Sequence, residues 1–110
     1  MAAIPHPWAA ALAAALLLGG SPVLAQDAAA GRTKAQACVV CHGPAGISTQ
    51  PDAPNLAGQP AIYLAAQLRA YRSGERKHEV MAVMAKPLSN DDIQNLAAWF
   101  ASIRIEATPP

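Results

Sequence analysis

Residues 38–42 read CVVCH and contain both cysteines of the 110-residue chain, with a histidine directly after the second. A disulfide between Cys38 and Cys41 would close a very small loop and would stabilise the protein little. A thioredoxin-like redox site requires a strand-helix-strand context, for which the sequence has no pattern. A zinc site requires four ligands, and the adjacent Cys41 and His42 cannot easily both face one small ion. None of these three chemistries suits the spacing well.

Covalent haem attachment suits it better, because C-x-x-C-H is the signature of that chemistry. Thioether bonds from two cysteines attach one edge of the macrocycle to the chain. The histidine that follows is then carried under the ring, where its imidazole can bind iron.

The N-terminal residues 1–25 contain no Asp, Glu, Lys or Arg, and Trp8 to Leu18 form an apolar run. That run has the length of a signal-peptide core and is too short to span a bilayer. Small residues at Val23-Leu24-Ala25 predict a signal peptide over 1–25 that is cut after Ala25, with a site near Ala28 as second choice. Because the segment lacks Lys and Arg before its apolar run, an uncleaved membrane anchor is the alternative.

The composition limits which classes of function and which kinds of fold remain possible. The formal net charge is +1, and no basic stripe is large enough to indicate nucleic-acid binding. Exported proteins meet oxidising conditions, in which free thiols are usually paired or otherwise used. A domain this small, with only four aromatic residues beyond position 25, usually requires a covalent or metal-based staple.

Three segments have helical patterns, and no segment alternates as a strand does. We expect helices over about 28–37, with Gly31 as a weak point, from Pro60 to about residue 73, and after Ser89. Ser89 and Asp92 resemble a capping box at the start of the last helix. The intervening segments 43–59 and 74–88 are predicted as long loops, which a small domain accommodates if both wrap a large ligand. Residues 106–110 are predicted to be a frayed tail.

Residues 26–105 resemble a class I c-type cytochrome, especially one half of the dihaem c-four cytochromes of bacterial periplasms. The resemblance is carried by ACVVCHGPAG, APNLAGQPAIYLAAQLRAYRSGER and MAVMAKPLSNDDIQNLAAWFASI, in that order. It implies an all-α, small cytochrome c fold, in which three main helices and two long loops wrap one haem c bound through Cys38 and Cys41.

The same resemblance implies the iron ligands. His42 would bind one face of the ring, and a methionine thioether would bind the other, which favours the reduced state. The family pattern, counted back from Leu88, matches Met81. Met84 matches a second methionine that packs nearby and remains the alternative ligand. His78 is expected to be a solvated loop residue, although its imidazole could bind iron in a variant.

Further site residues follow from the family pattern. The Pro54 carbonyl is expected to accept a hydrogen bond from the ligand histidine, and Leu56 is expected to pack on the ring. Tyr63 and Gln67 match positions near the haem propionates or the pocket wall, with ordinary core as the alternative for Tyr63. The basic residues expected near propionates or on a docking surface are Arg72, Arg76 and Lys77. Trp99 and Phe100 are expected to pack as core against the first helix.

The resemblance implies a periplasmic electron-transfer protein that meets redox partners through a transient interface. We expect no catalysis, nucleic acid, small-molecule substrate or, after cleavage, membrane. The alternative is a haem c subunit of a periplasmic oxidoreductase complex. A haem with an open coordination position, used for gas sensing or peroxide breakdown, is a third reading that the M-x-x-M pattern disfavours.

Overall fold

A computed structural model describes residues 1–3 and 26–110, and within them all regular secondary structure is helical. The predicted signal peptide and its cleavage site fall almost entirely on residues 4–25, which lie outside the described residues. Among the described residues, no helix is both long and apolar enough to cross a membrane. The helices are α1 (Ala28–Lys34), a 3₁₀ segment (Ala35–Cys38), α2 (Val39–His42), α3 (Ala61–Ser73), α4 (Glu79–Ala85) and α5 (Asn90–Ser102).

Helix α1 begins at a side-chain cap and packs against α5. The Asp27 carboxylate accepts a hydrogen bond from the backbone N–H of Ala30 at 3.0 Å, which satisfies one unpaired donor of the first turn. The backbone N–H of Asp27 donates to Asn95 Oδ1 on α5 at 2.9 Å. Gly31 is buried at the crossing, where a Cβ atom would collide with the Asn95 carbonyl. The expected weak point of the helix is therefore the position that lets α1 and α5 approach closely.

Helix α3 has the ends that the sequence predicts. Pro60 is the N-cap, and Gly74 ends the helix in the left-handed region at φ 85°. Leu64 and Ala65 of α3 are buried and join the core that α5 supplies. The α5 residues in this core recur at helical spacing and are Ile93, Leu96, Ala97 and Phe100.

The start of α5 confirms the capping box. Ser89 Oγ accepts from the Asp92 backbone N–H, and the Asp92 carboxylate accepts from the Ser89 backbone N–H, each at 3.0 Å. Lys34, at the end of α1, lies 3.3 Å from the same carboxylate. The backbone bond from Ser89, with a smaller contribution from Lys34, lowers the pKa of Asp92.

The segment 74–88 was expected to be a loop, and this expectation is wrong in its centre. Helix α4 spans Glu79–Ala85 within it. Ala85 is fully buried, whereas Val80 and Val83 are exposed, so only part of the apolar run faces the interior. The run is too short and too evenly apolar to produce a helical pattern, and tertiary packing stabilises it instead.

The segment 43–59 is a loop without helix or strand, as predicted, and it is tied to the rest of the fold. The carbonyl of Gly46, a residue with φ 71°, accepts from the backbone N–H groups of Leu56 and Ala57 at 2.8 and 3.1 Å. The N–H of Gly58 donates to the Phe100 carbonyl at 2.9 Å. These bonds close the loop against the end of α5. Residues 106–110 are exposed and have no regular secondary structure.

Candidate haem site

One cavity of about 430 Å³ lies between α2, the loop 43–59, α3, α4 and α5. Most of the side chains that face it are apolar. All eight residues predicted for the site line it, namely Cys38, Cys41, His42, Pro54, Leu56, Tyr63, Gln67 and Met81. The tertiary structure thus brings together residues that lie on four separate segments of the chain.

The CVVCH motif is itself helical, although the first helix was expected to end before it. The 3₁₀ segment ends at Cys38, and α2 continues to His42. Cys38 and Cys41 are both partly buried and are not joined to each other. Before haem is attached, burial, and secondarily the neighbouring Cys41, raises the pKa of the Cys38 thiol.

The ring of His42 is buried, with 8% of its surface exposed. Its Nδ1 lies 2.8 Å from the carbonyl oxygen of Pro54. Because a carbonyl only accepts, Nδ1 carries the proton and Nε2 is the nitrogen with a free lone pair. This arrangement fixes the ring of a metal-binding histidine and makes it more basic.

Two methionines of α4 line the cavity, one helical turn apart. Met84 has 38% of its surface exposed, whereas Met81 is half-buried. Both methionines line the same cavity as His42. Met81 and Met84 therefore both remain candidate iron ligands, and Met81 is the more buried of the two.

The polar side of the cavity is formed by α3 and the residues that follow it. Gln67 Oε1 accepts from Arg76 at 2.7 Å, and the Arg76 guanidinium lies 4.8 Å from the centre of the Tyr71 ring. Arg76 is the one Lys or Arg side chain that lines the cavity within the described residues. Tyr63, with 47% of its surface exposed, stands at the cavity mouth and does not belong to the core.

Two residues differ from their expected positions. The guanidinium of Arg72 donates to the Leu88 carbonyl at 2.9 Å and to Asn90 Oδ1 at 2.7 Å. It therefore ties α3 to the start of α5 and does not line the cavity. His78 is exposed but not merely solvated, because it is the N-cap of α4. Histidine is not among the usual N-cap residues, so the sequence offered no signal for this role.

Trp99 and Phe100 are adjacent in α5 but contact different parts of the protein. Trp99 packs toward α1, where the Arg32 guanidinium lies 5.5 Å from its ring. Phe100 is buried and forms part of the cavity wall. Trp99 thus packs as predicted, whereas Phe100 also contributes to the site.

The residues present fit a covalently bound haem. Two thiols, an imidazole with a free Nε2 and two thioethers face one apolar space. These are the donors that haem c uses for attachment and axial ligation. The apolar walls suit a large flat macrocycle, and Arg76 supplies a cation where carboxylates could lie.

Comparison with known proteins identifies the family. The family model described as cytochrome c matches residues 28–104. Cytochrome c-554(548) of Halomonas halodenitrificans is 47% identical over 81 residues, which cover 71% of this chain and 98% of that protein. Cytochrome c4 of Pseudomonas aeruginosa is 42% identical over 85 residues, which cover 77% of this chain and 42% of that protein.

Solved structures agree with these relatives. Reduced recombinant cytochrome c4 from Pseudomonas stutzeri superimposes with a TM-score of 0.69 at 39% identity, covering 73% of this chain and 47% of that one. The thiosulfate dehydrogenase TsdBA from Marichromatium purpuratum gives a TM-score of 0.69 at 40% identity, covering 74% of this chain and 20% of that one. The chain thus spans nearly all of one relative but less than half of the cytochromes c4 of Pseudomonas aeruginosa and Pseudomonas stutzeri. With the cavity and its CVVCH motif, these matches establish that the chain belongs to the cytochrome c family and is an electron-transfer protein with haem c bound covalently through Cys38 and Cys41.

Proposed function

We propose that this cytochrome carries single electrons in the periplasm on a haem c whose iron is bound by His42 and Met81. The observation that carries the proposal is that the CVVCH motif and the α4 methionines line one apolar cavity. The 2.8 Å contact between His42 Nδ1 and the Pro54 carbonyl supports the histidine assignment. It directs Nε2 to the metal and restricts the rotation of the imidazole.

The side chains of this site would hold the redox centre and keep water away from it. When bound, the haem iron supplies a one-electron change between two oxidation states. His42 and Met81 together would hold the iron, so that no substrate could reach the metal. Leu56, Leu68 and Phe100 supply apolar walls, which reduce the solvent rearrangement that accompanies a change of charge.

Electron exchange also requires a surface where a partner approaches the haem edge. Four large hydrophobic side chains that line the cavity are also exposed to solvent. They are Val40, Tyr63, Val80 and Met84. An apolar rim of this kind suits a small and transient contact with another redox protein.

The optical spectrum tests the ligand assignment directly. The mature protein is produced in cells that contain the haem-attachment machinery, and its oxidised form is examined for the weak far-red sulfur-to-iron band. We expect the band in the wild type and in Met84→Ala, and its loss in Met81→Ala. Loss of the band in Met84→Ala alone would instead make Met84 the ligand. A high-spin wild type that readily binds carbon monoxide would overturn the carrier proposal in favour of a sensing or catalytic haem.

A second candidate function is that of the haem subunit of an oxidoreductase complex. A protein of Stutzerimonas stutzeri named thiosulfate dehydrogenase electron acceptor is 46% identical over 69 residues, which cover 60% of this chain and 32% of that protein. The exposed apolar rim supports this candidate as well, because lasting interfaces are apolar at their centres. Size-exclusion chromatography of protein purified gently from its native host separates the two. Elution as a monomer supports the free carrier, whereas stoichiometric co-elution with a larger enzyme supports the subunit.

Export is part of the proposal. Gln26 and Asp27, directly after the predicted cut, bond to Gln94 and Asn95 of α5, so cleavage after Ala25 would retain these two contacts. Intact-mass measurement of protein from the periplasmic fraction should give a chain that starts at Gln26 and carries one haem. A full-length chain in the membrane fraction would support the uncleaved anchor instead.

A further inference from the structure

The helix that bears Met81 has an unusual start. Helix α4 contains seven residues and begins at Glu79, directly after its N-cap His78. The backbone N–H of Met81 donates to His78 Nδ1 at 3.2 Å. Because so short a helix has little stability of its own, its first turn depends on bonds of this kind.

The imidazole that makes this bond is itself held by α3. The rings of Tyr71 and His78 meet edge to face, with centroids 6.4 Å apart and planes 75° apart. Arg76 covers the Tyr71 ring and bonds to Gln67. One chain of side chains therefore runs from the cavity wall on α3 to the backbone of Met81.

The two ends of α4 are anchored differently. Ala85, the last helical residue, is fully buried in the interior. Val80 and Val83, nearer the start, are exposed by 51% and 69%. Apolar burial thus holds the C-terminal end, whereas Met81 and Ala82 near the start are only half-buried. The first turn therefore depends more on the contact with His78.

From these contacts we propose that His78 is a positioning residue, whose cap on the Met81 amide and packing against Tyr71 hold the methionine over the haem cavity. The inference rests on the proposed function, in which Met81 binds the iron. Its consequence is that removal of the cap allows the first turn of α4 to open, so that an external ligand replaces the methionine more readily.

The test compares His78→Ala, which removes the acceptor, with His78→Asn, which supplies a favoured N-cap. Both variants are made as haem-loaded mature protein and titrated with imidazole in the oxidised form at one fixed pH. Loss of the N-cap should raise the equilibrium constant for opening of the first turn of α4 by roughly five-fold. We expect His78→Ala to bind imidazole about five-fold more tightly and His78→Asn to stay within about two-fold of the wild type.

Two further readouts separate positioning from general destabilisation. Hydrogen exchange at the Met81 amide should become faster in His78→Ala and should return toward the wild-type rate in His78→Asn. The urea midpoint of the α1–α5 core should remain close to that of the wild type in both variants. Faster exchange throughout the core with a lower midpoint would overturn the local role.

The inference and the proposed function can fail separately. If the far-red band disappears in Met81→Ala but His78→Ala binds imidazole as the wild type does, His78 does not position the ligand and the inference alone fails. The inference also fails if His78→Asn behaves like His78→Ala, because the cap would then not be responsible. If the band survives in Met81→Ala, the ligand assignment fails and the inference fails with it.

Discussion

Gly31 lies inside α1, where helix propensity alone would favour alanine. The structure reverses that preference, because a Cβ atom at Gly31 would meet the Asn95 carbonyl and lie 2.9 Å from Trp99 Cβ. We therefore predict that Gly31→Ala destabilises the protein by about 2–3 kcal/mol through overpacking at the α1–α5 crossing. Urea unfolding followed by circular dichroism measures the change.

The control for this prediction is Gly74→Ala at the end of α3. At Gly74 an added Cβ atom meets nothing within 4 Å, but φ is 85°, so only the left-handed backbone conformation is penalised, by about 1–2 kcal/mol. A larger loss at Gly74 than at Gly31 would contradict the close-approach explanation.

Arg76 and Arg72 come from the same short basic stretch but lie in different surroundings. Arg76 lines the cavity, whereas Arg72 bonds to Leu88 and Asn90. A positive charge near the haem stabilises the reduced form. We predict that Arg76→Gln lowers the reduction potential by roughly 20–50 mV, as expected for one partly solvated charge near the iron.

The matched variant Arg72→Gln should change the potential less and the stability more. It removes two hydrogen bonds from a charged donor, each of which contributes about 1.5–3 kcal/mol in mutational series. Equal shifts of potential in the two variants, measured by redox titration, would contradict the assignment of Arg76 to the cavity.

At the scale of single elements, the start of α5 links stability to pH. The bond from the Ser89 N–H, then the contact with Lys34, lowers the pKa of Asp92. A carboxyl whose pKa is lower in the folded state stabilises the fold above its unfolded pKa, and this contribution disappears as pH falls through the folded value. We predict that Asp92→Asn reduces stability at pH 7, and that the difference from wild type narrows below about pH 4.

Urea unfolding at several pH values checks this, with Asp91→Asn as the control. Asp91 is also an acidic residue of the first turn, but its side chain forms no hydrogen bond or ion pair with the residues that the structure describes. Its variant should therefore show a smaller effect. A constant difference between Asp92→Asn and wild type from pH 7 to pH 3 would contradict the role of the charge.

Sequence patterns located α3 and α5 well because their signals are local. Pro60, Gly74, Ser89 and Asp92 all act through adjacent backbone groups, so the chemistry of each helix end can be read from a few residues. Helix α4 was missed because its stability comes from Ala85 in the interior and from His78 at its start. The burial of Ala85 depends on segments that are distant in the chain, and histidine is not among the usual N-cap residues.

At the scale of the whole molecule, the haem is predicted to be part of the core. The cavity has a volume of about 430 Å³, and large-to-small substitutions cost about 24 cal/mol for each Å³ of cavity. By that measure, the cavity term alone for removal of the haem would be at most about 10 kcal/mol, which is comparable to the entire stability of a small domain. The cavity is partly open, so this value is an upper bound.

We therefore predict that the variant with Cys38→Ser and Cys41→Ser, produced without haem, has no cooperative thermal transition. Circular dichroism and differential scanning calorimetry check this against the haem-loaded wild type. A sharp transition with native helix content in the haem-free variant would contradict the prediction. Restoration of the transition on adding free haem would indicate that cavity filling, and not the thioether bonds, stabilises the fold.

By itself the sequence determined the haem attachment motif, the all-helical class, both ends of α3, the start of α5, and eight of the residues that line the cavity. These features depend on short-range chemistry or on a motif order that the family shares. Only the tertiary structure showed that Gly31 lies where α1 crosses α5, and that Arg72 joins two helices while Arg76 lines the cavity. It also showed that His78 caps α4 by accepting a hydrogen bond from the Met81 amide. The physical reason is that the roles of Gly31, Arg72 and Arg76 depend on which distant groups lie within a few ångströms, and the role of His78 depends on where a helix begins. Residue spacing along the chain specifies neither.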